Sequence, residues 1–540
     1  MSLFKQIRPS QTNQTYWIQL CLLLIVGMGA FLRLYNLGNL SLTIDEIYNA
    51  ICMKSILQEG FPILPNGHYY TRGLTQSYLG AMFAFLFGAN EMAIRLPSAI
   101  AGIGLIILLY LIGKEFKDSG FGLVVSAAIA FFPWAIEFSR WGRMYCLLSF
   151  FVVSSFYFAF TGFKYQNNKK IGISVLLALL SPLTHPYGML APLLVLACYI
   201  ASKQNIKSLL LSKKIYGLVI LSGLLFPIIN IVVYLFIQEG NPAKVSMVFL
   251  NSYQILSTLK FSPFFLQYLF QHHTVLILGI ILFSASLLYH RQTANKNLLL
   301  LLVGVCPVIF VSLYHVHYVT RYLFFAMPLL MVVGFLGYYV WIQKISESRL
   351  HGFHFKKAVP SFVTAILILF TFAEVTYSFA IPFRKHGDLY ENPYYAPTLV
   401  SNYIADRRSN NEFTIKQIKP GDILITDSFH FFYYYTSIES DYFIRPGPEY
   451  FCDKNKNGCK VRYFSKTYLL NEKKQLFNII NSTDSNIYFV LNLKGNHDSV
   501  EKQIIQWLKE AAYYFSDNIT IQKMFTGEEP YAIVFKISKS

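Results

Sequence analysis

Apolar residues in this chain come in long blocks, and most of the blocks are as thick as a membrane. Eleven can be drawn, at roughly 17–36, 95–113, 120–136, 144–163, 171–184, 187–201, 215–237, 273–289, 297–314, 321–342 and 358–381. A helix of about 20 apolar residues crosses a bilayer core, so these blocks predict transmembrane helices. Blocks 171–184 and 187–201 are short and suit tilted or partly re-entrant segments. The stretch 78–87 is about half a membrane thick and predicts an interfacial helix. If it and a neighbour both span, eleven helices become thirteen. The first block lacks a small-residue cleavage site and predicts a retained anchor, not a signal peptide.

The pattern changes after Pro382. Residues 422–427, 486–492 and 531–537 are short strand-like runs, and 500–514 has helical periodicity. The aromatic run 429–435 predicts a buried helix in preference to a platform for sugar stacking. The expected architecture is a polytopic α-helical membrane protein with about 11, at most 13, transmembrane helices and a C-terminal extracytoplasmic α/β domain. The predicted domains are 1–382 in the membrane and 383–540 outside it. No internal repeat or low-complexity tract is evident.

Composition supports the class. Of 540 residues, 54% are hydrophobic and 14% charged, with mean hydropathy +0.42, far from a soluble globular profile. Aromatics reach 17%, as suits side chains that favour membrane interfaces. The net charge of +18 is mostly a topology signal. Lys5/Arg8, Lys114/Lys117, Lys164/Lys169/Lys170, Lys203/Lys207/Lys213/Lys214, Arg291/Lys296 and Lys344/Arg349/Lys356/Lys357 fall in alternate loops, which the positive-inside rule makes cytoplasmic. The protein is then a multi-pass plasma (inner) membrane protein with a cytoplasmic N-terminus. The chain after Pro382 faces outward and is nearly neutral, and nothing points to nucleic acid as a partner.

Two groups of residues carry candidate chemistry. Asp45-Glu46 lies just past the far end of the first block, where paired carboxylates are costly to hold. The bland reading is a helix cap, with a short amphipathic helix over 46–57. Outside the cytoplasmic set, nine basic residues remain in the membrane unit: Arg33, Lys54, Arg72, Arg95, Arg140, Arg143, Lys244, Lys260 and Arg321. All fall on the outer side, and the arginine fork suits phosphate oxygens. Snorkelling to headgroups is the alternative for any one of them. Arg140-Trp141-Gly142-Arg143 is the densest stretch, and Arg321-Tyr322 follows His315 and His317. Mid-membrane polar groups, which a transport path requires, are sparse; Glu374 and Asn230 are the clearest.

Of seven cysteines, five lie in or beside apolar blocks, where a small buried hydrophobe is expected. Cys452 and Cys459 flank a hydrophilic outward loop and predict a disulfide.

Arg33-Leu34, Asp45-Glu46 and Ala93-Ile94-Arg95-Leu96-Pro97-Ser98-Ala99-Ile100-Ala101-Gly102, in that order, resemble the integral-membrane glycosyltransferases of the C superfold. The likeness is to the bacterial branch related to protein O-mannosyltransferases and the lipid A aminoarabinose transferase. Ser139-Arg140-Trp141-Gly142-Arg143-Met144-Tyr145 looks like that family's Ser-Arg-Glu-Ala-Arg-x-Tyr stretch. Thr184-His185-Pro186-Tyr187-Gly188 and Arg321-Tyr322-Leu323 with Pro328 also have counterparts. The likeness spans most of residues 30–330.

The resemblance implies transfer of one sugar from a polyprenyl monophosphate to a protein or to a glycolipid or cell-envelope acceptor, at the outer face of the bilayer. It makes Asp45 the base, with Glu46 supporting it or helping to bind a metal. Arg140, Arg143, Arg321 and Arg72 are the donor-phosphate candidates. A single displacement of this kind inverts the anomeric centre. The chain departs from the family pattern in two places. Trp141 stands where relatives carry an acid, and Glu137, one helical turn earlier, is the substitute available. Tyr70-Thr71-Arg72-Gly73 stands where relatives often carry Pro-Pro. Some relatives bind a divalent metal, for which His68, His185, His272 and His273 are the available ligands. Two other function classes stay open: a ligase or polymerase using diphosphate-linked glycans, and a lipid or glycan transporter.

Overall fold

The computed structural model describes residues 11–202, 262–289, 294–313, 319–349, 359–371, 375–386, 388–390, 402–403, 406–446, 452–455, 458–461, 467–492, 499–516, 518–526 and 532–539. The predicted block 215–237, Asn230, Lys244, Lys260, His315, His317 and Glu374 lie outside the described residues. So do the side chains of Cys452 and Cys459, whose proposed bridge is likewise outside what is described.

The chain divides into two compact units, and the division is not sequential. One comprises Met1–Tyr35 with Leu96–Pro382, the other Asn36–Arg95 with Phe383–Ser540.

The first unit is helical. Its elements begin with α1 (Gln11–Leu34); α2 (Ile44–Glu59) and α3 (Leu74–Phe87) belong to the second unit, and α4 (Glu91–Phe116) leads back into the first. There follow α5 (Ser119–Phe131), α6 (Pro133–Ser139), α7 (Tyr145–Lys164), α8 (Asn168–Thr184) and α9 (Leu190–Ser202). Further helices cover Phe264–His272, Thr274–Tyr289, Ala294–Leu313, Met327–Arg349, Val359–Thr371 and Val375–Ala380.

Among the described residues five helices are long and apolar enough to cross a membrane, or seven if two bent pairs each count as one span. The predicted block 120–136 is one of those pairs, broken by 61° between α5 and α6. Pro133 opens α6 there; its ring fixes φ and it has no N–H to continue the preceding ladder. The predicted interfacial stretch is α3, a helix of 14 residues, too short to span.

The second unit is built on an eight-stranded sheet of order β5-β6-β7-β4-β3-β8-β10-β9. The strands are β3 (Ile423–Thr426), β4 (Tyr442–Ile444), β5 (Cys452–Asn455), β6 (Gly458–Val461), β7 (Tyr468–Leu470), β8 (Ile487–Asn492), β9 (Ile519–Thr526) and β10 (Ala532–Lys539). A separate pair is formed by β1 (Leu389–Tyr390) and β2 (Asn402–Tyr403). The central strands β7, β4, β3 and β8 are parallel, whereas β10 and β9 add antiparallel at one edge. The predicted strand runs are β3, β8 and β10, and the predicted periodic segment is the helix Ser499–Tyr514.

Strand alternation sends successive side chains to opposite faces. Leu424, Tyr488, Val490 and Val534 pack on one face with Phe432. Ile425, Ile487, Phe489 and Leu491 pack on the other with Leu476, Ile480, Ile504 and Trp507.

A third core explains why residues 36–95 join this unit. Leu42, Ile47, Ala50, Ile51 and Met53 pack with Phe429, Phe431, Tyr434, Phe443 and Leu469. Burying each large apolar side chain contributes about 1.5–3 kcal/mol, so segment 36–95 and the C-terminal sheet share one hydrophobic interior. The aromatic run at 429–435 is a helix with Phe429, His430, Phe431, Phe432 and Tyr434 buried, as its composition predicted.

Candidate functional site

The carboxylate pair opens α2. Thr43 caps the helix, with a reciprocal bond to Glu46: the Thr43 N–H donates to Glu46 Oε2 at 2.8 Å. The opposite end closes on Gly60 at φ +78°, a left-handed conformation that costs glycine nothing. The helix predicted over 46–57 is therefore real and slightly longer. Within its first turn the two acids separate in environment. Asp45 is half-buried, whereas Glu46 is wholly buried.

Glu46 receives Arg95 bidentately, Nε to Oε1 at 2.8 Å and Nη2 to Oε2 at 3.0 Å. Arg95 spends its other three donors on backbone: Nη1 on Leu37 O (3.0 Å) and Leu40 O (2.8 Å), Nη2 on Ser41 O (3.1 Å). All five guanidinium donors are thus engaged. The motif Ala93-Ile94-Arg95 matters because it brings this arginine to the carboxylate loop.

Residues after Phe383 complete the loop's scaffold. Arg408 donates to Glu91 Oε1 at 2.8 Å and to Gly38 O at 3.1 Å. Tyr435 donates to Glu91 Oε1 at 2.9 Å and accepts the Leu42 N–H at 3.3 Å. Arg407 donates to Leu42 O at 3.1 Å, and the Ser41 N–H donates to His386 Nε2 at 3.2 Å. Of these four only Tyr435, the last residue of the aromatic run, stood out in the sequence. An Arg-Arg pair after Asp406 reads as the solvated start of a helix, which it also is, with Asp406 as its cap.

His430 sits beneath this network, its ring 5.7 Å from that of Tyr48 on α2. Burial, reinforced by the positive charges of Arg407 and Arg445, pushes its imidazole down to about 3. The folded pKa lies below the unfolded value near 6.5, so on acidification the unfolded chain takes up the proton first. Stability is therefore complete above about pH 6.5 and falls as the pH drops from there toward about 3. Thermal unfolding of the purified protein at pH 7 and pH 5 should show this loss, and His430→Phe should reduce it. An equal pH slope in that variant would remove His430 as the cause.

Of the other candidates in this unit, Arg72 and His68 are exposed. The Arg72 carbonyl accepts from buried Asn49 at 3.2 Å, which also donates to Ser77 Oγ at 3.0 Å; this ties the loop to α2 and α3.

The first unit gathers the remaining motif residues. Arg33 is fully buried, donating to Ser139 Oγ (3.1 Å) and to the carbonyls of Gly29, Ala130 and Ile129 (3.0, 3.1 and 3.0 Å). A Cβ on Gly102 would lie 2.0 Å from Ser139 Oγ, so only glycine leaves room for this pair. Arg140 Nη1 donates to Leu32 O, Arg33 O and Tyr35 O at 3.2, 3.3 and 2.7 Å, placing a cation on the carbonyl end of α1.

Arg143 is buried, and its carbonyl accepts from Ser98 Oγ at 2.9 Å. Glu137 is buried, and the Tyr377 hydroxyl donates to it at 3.4 Å. The His185 ring lies 5.7 Å from Tyr145, 4.8 Å from Tyr187 and 5.7 Å from Tyr322. Arg321 sits 5.5 Å over the Tyr322 ring, and Trp141 stacks on Tyr145 at 5.8 Å. Three stretches far apart in sequence, 139–145, 185–187 and 321–322, therefore meet in one aromatic and cationic cluster. His185 Nδ1 accepts the Tyr187 N–H at 3.2 Å, so the neutral ring carries its proton on Nε2.

Among the described residues no group of three or more His, Cys, Asp and Glu side chains comes together to hold a metal ion. Both oxygens of Glu46 are already engaged, by Arg95 and by the Thr43 N–H. The arrangement does not fit a metal centre built from these residues, and no chemistry is routed through one.

Comparison with known proteins places the fold. The sequence pattern of the dolichyl-phosphate-mannose-protein mannosyltransferase family matches residues 72–234. No curated protein matches the chain by sequence. The structure of ArnT from Cupriavidus metallidurans in the apo state superposes with a TM-score of 0.57 at 10% identity, over 97% of this chain and 98% of that one. ArnT bound to undecaprenyl phosphate gives 0.56 at 11% identity, over 98% of each. The oligosaccharyltransferase AglB from Archaeoglobus fulgidus, in complex with an inhibitory peptide and a dolichol-phosphate, gives 0.50 at 12% identity, over 79% of this chain. This chain spans 64% of the length of that oligosaccharyltransferase. The fold is that of the integral-membrane glycosyltransferases which the motifs resemble.

Proposed function

We propose that this protein is a membrane glycosyltransferase that moves a sugar from a polyprenyl monophosphate to an acceptor at the outer face of the plasma membrane. The observation that carries the reading is the separation of the two acids: Glu46 is locked to Arg95, and this fixes a helix turn on which Asp45 stays half-buried. The ArnT structure with undecaprenyl phosphate supports the donor class.

In the reaction the acceptor hydroxyl or amine attacks the anomeric carbon as Asp45 takes its proton. The bond from that carbon to the phosphate oxygen breaks, and polyprenyl phosphate leaves with the bond's electron pair. The leaving phosphate needs cations more than an acid; Arg143 and Arg321 are assigned to it, with exposed Arg72 as a further contact. Arg140 serves first to hold the end of α1. Glu46 positions the base, and Glu137 stands in for the acid that Trp141 replaces. One displacement inverts the anomeric centre. The chain crosses the bilayer about eleven times, with residues 383–540 outside and the transferred group a hexose or a pentose.

The test is a donor assay with the full-length protein in liposomes. Polyprenyl-monophosphate sugars and diphosphate-linked glycans are offered separately, with hydroxyl-bearing peptides or glycolipids as acceptors, and the released lipid, monophosphate from the first and diphosphate from the second, is measured. Turnover of the monophosphate donor is expected; turnover of the diphosphate donor alone would overturn the reading in favour of an oligosaccharide ligase. In the same assay Arg143→Ala should weaken donor affinity about tenfold or more, the scale of one lost charge-assisted phosphate contact. Unchanged donor affinity with normal turnover would release Arg143 from the phosphate.

A further inference from the structure

The loop 37–43, which leads into the Asp45 turn, has almost no secondary structure of its own. Besides a turn in which the Asn39 N–H donates to Asn36 O at 3.2 Å and the Thr43 carbonyl that opens α2, several of its backbone groups are met by side chains from distant parts of the chain. Backbone polar groups withdrawn from water must find partners, so whatever supplies them determines the loop's path. Arg95 takes the carbonyls of Leu37, Leu40 and Ser41. Three more depend on the chain after Phe383: Gly38 O on Arg408, Leu42 N–H on Tyr435, and Leu42 O on Arg407.

Arg407 is itself held, its guanidinium 4.3 Å over the Phe431 ring and its backbone N–H donating to Ser41 Oγ at 3.2 Å. Phe431 lies in the core that α2 shares with the sheet. Burial pushes the Arg407 guanidinium below its ordinary value, and the nearby carboxylates of Asp427 and Glu46 offset part of that cost.

We propose that Arg407, Arg408 and Tyr435 are positioning residues for the transfer reaction: from the C-terminal segment they hold the loop that aims Asp45, which makes the α/β unit an integral part of the catalytic apparatus. The proposal rests on Asp45 being the base. None of the three residues touches substrate in this account. Their effect is to keep the first turn of α2 in one place, and a shift of about 1 Å in a catalytic group can cost about a hundredfold in rate.

The experiment uses the full chain in liposomes with a polyprenyl-monophosphate sugar as donor, and compares Arg407→Ala, Arg407→Lys and Tyr435→Phe with wild type. Two quantities are read: steady-state transfer, and deuterium uptake by peptides covering 36–46. For Arg407→Ala, kcat should fall about 10- to 100-fold at unchanged donor KM, with faster uptake confined to 36–46. Arg407→Lys keeps the cation over Phe431 and should recover most of the activity. Tyr435→Phe, which removes a single hydroxyl, should show a smaller loss of the same kind and leave folding intact.

Faster uptake with unchanged kcat would overturn the proposal, and so would unchanged uptake in Arg407→Ala. A matched rise in donor KM would assign the residue to donor binding instead and would also overturn it. Should wild type fail to turn over any monophosphate donor, the functional reading falls, and the exchange data still decide whether these residues hold the loop.

Discussion

Asp45→Asn is expected to lose sugar transfer by about a hundred- to ten-thousandfold, the usual worth of a positioned general base, while the donor lipid still binds. The amide keeps the size and shape of the carboxylate and cannot take a proton at neutral pH. The fold should tolerate the change. Asp45 is half-buried, and the helix start relies on Thr43 and Glu46 for its cap. The loop before it is held by Arg95, Arg407, Arg408 and Tyr435, none of which depends on residue 45 in those bonds. The measurement is transfer from a polyprenyl-monophosphate sugar, paired with donor binding by the same preparation. Retained binding with lost transfer places Asp45 in the chemical step. Wild-type turnover would remove it from the mechanism, and joint loss of binding and transfer would make it a structural residue.

The helices and strands were legible because their signals are local. A block of apolar residues such as 144–163 needs no partner to be recognised, and it becomes α7 almost unchanged. The runs 422–427 and 486–492 alternate faces and become β3 and β8. The stretches 139–145, 185–187 and 321–322, far apart in the chain, meet in space.

What the sequence hid was which charges serve backbone. Six arginines that the charge pattern assigned to the outer side looked alike. Arg33, Arg95 and Arg140 spend their donors on helix ends or loop carbonyls. The reason is physical: broken helices and irregular loops near a membrane leave carbonyls that only a multi-donor side chain can satisfy. No periodicity marks such a partner. Residues 36–95 pack with 383–540, so Leu42 and Arg407 are neighbours across more than three hundred residues of chain, and a hydrophilic tail segment carries no sign of that attachment.

The same logic gives the largest expected effect on stability. Arg95→Met should lower the free energy of opening α2 by about 3–5 kcal/mol, because removing one partner of a buried pair leaves an uncompensated charge. Glu46 is fully buried and receives both the Nε and Nη2 bonds. After substitution its carboxylate keeps the Thr43 N–H, while the carbonyls of Leu37, Leu40 and Ser41 lose their donor at the same time. Hydrogen exchange of the amides over 44–59 reads the effect directly: 3 kcal/mol corresponds to protection falling about a hundredfold.

The double variant Glu46→Leu/Arg95→Met separates the two contributions. Replacing a buried ion pair with apolar side chains is often neutral, so protection should return in part. It should not return fully, because three loop carbonyls remain without Arg95. Full recovery would mean that the carbonyl bonds add nothing and that the ion pair alone holds the loop. A loss below about 1 kcal/mol for Arg95→Met, the value of an exposed pair, would mean that solvent reaches Glu46. The carboxylate would then be free to join Asp45 in the chemistry.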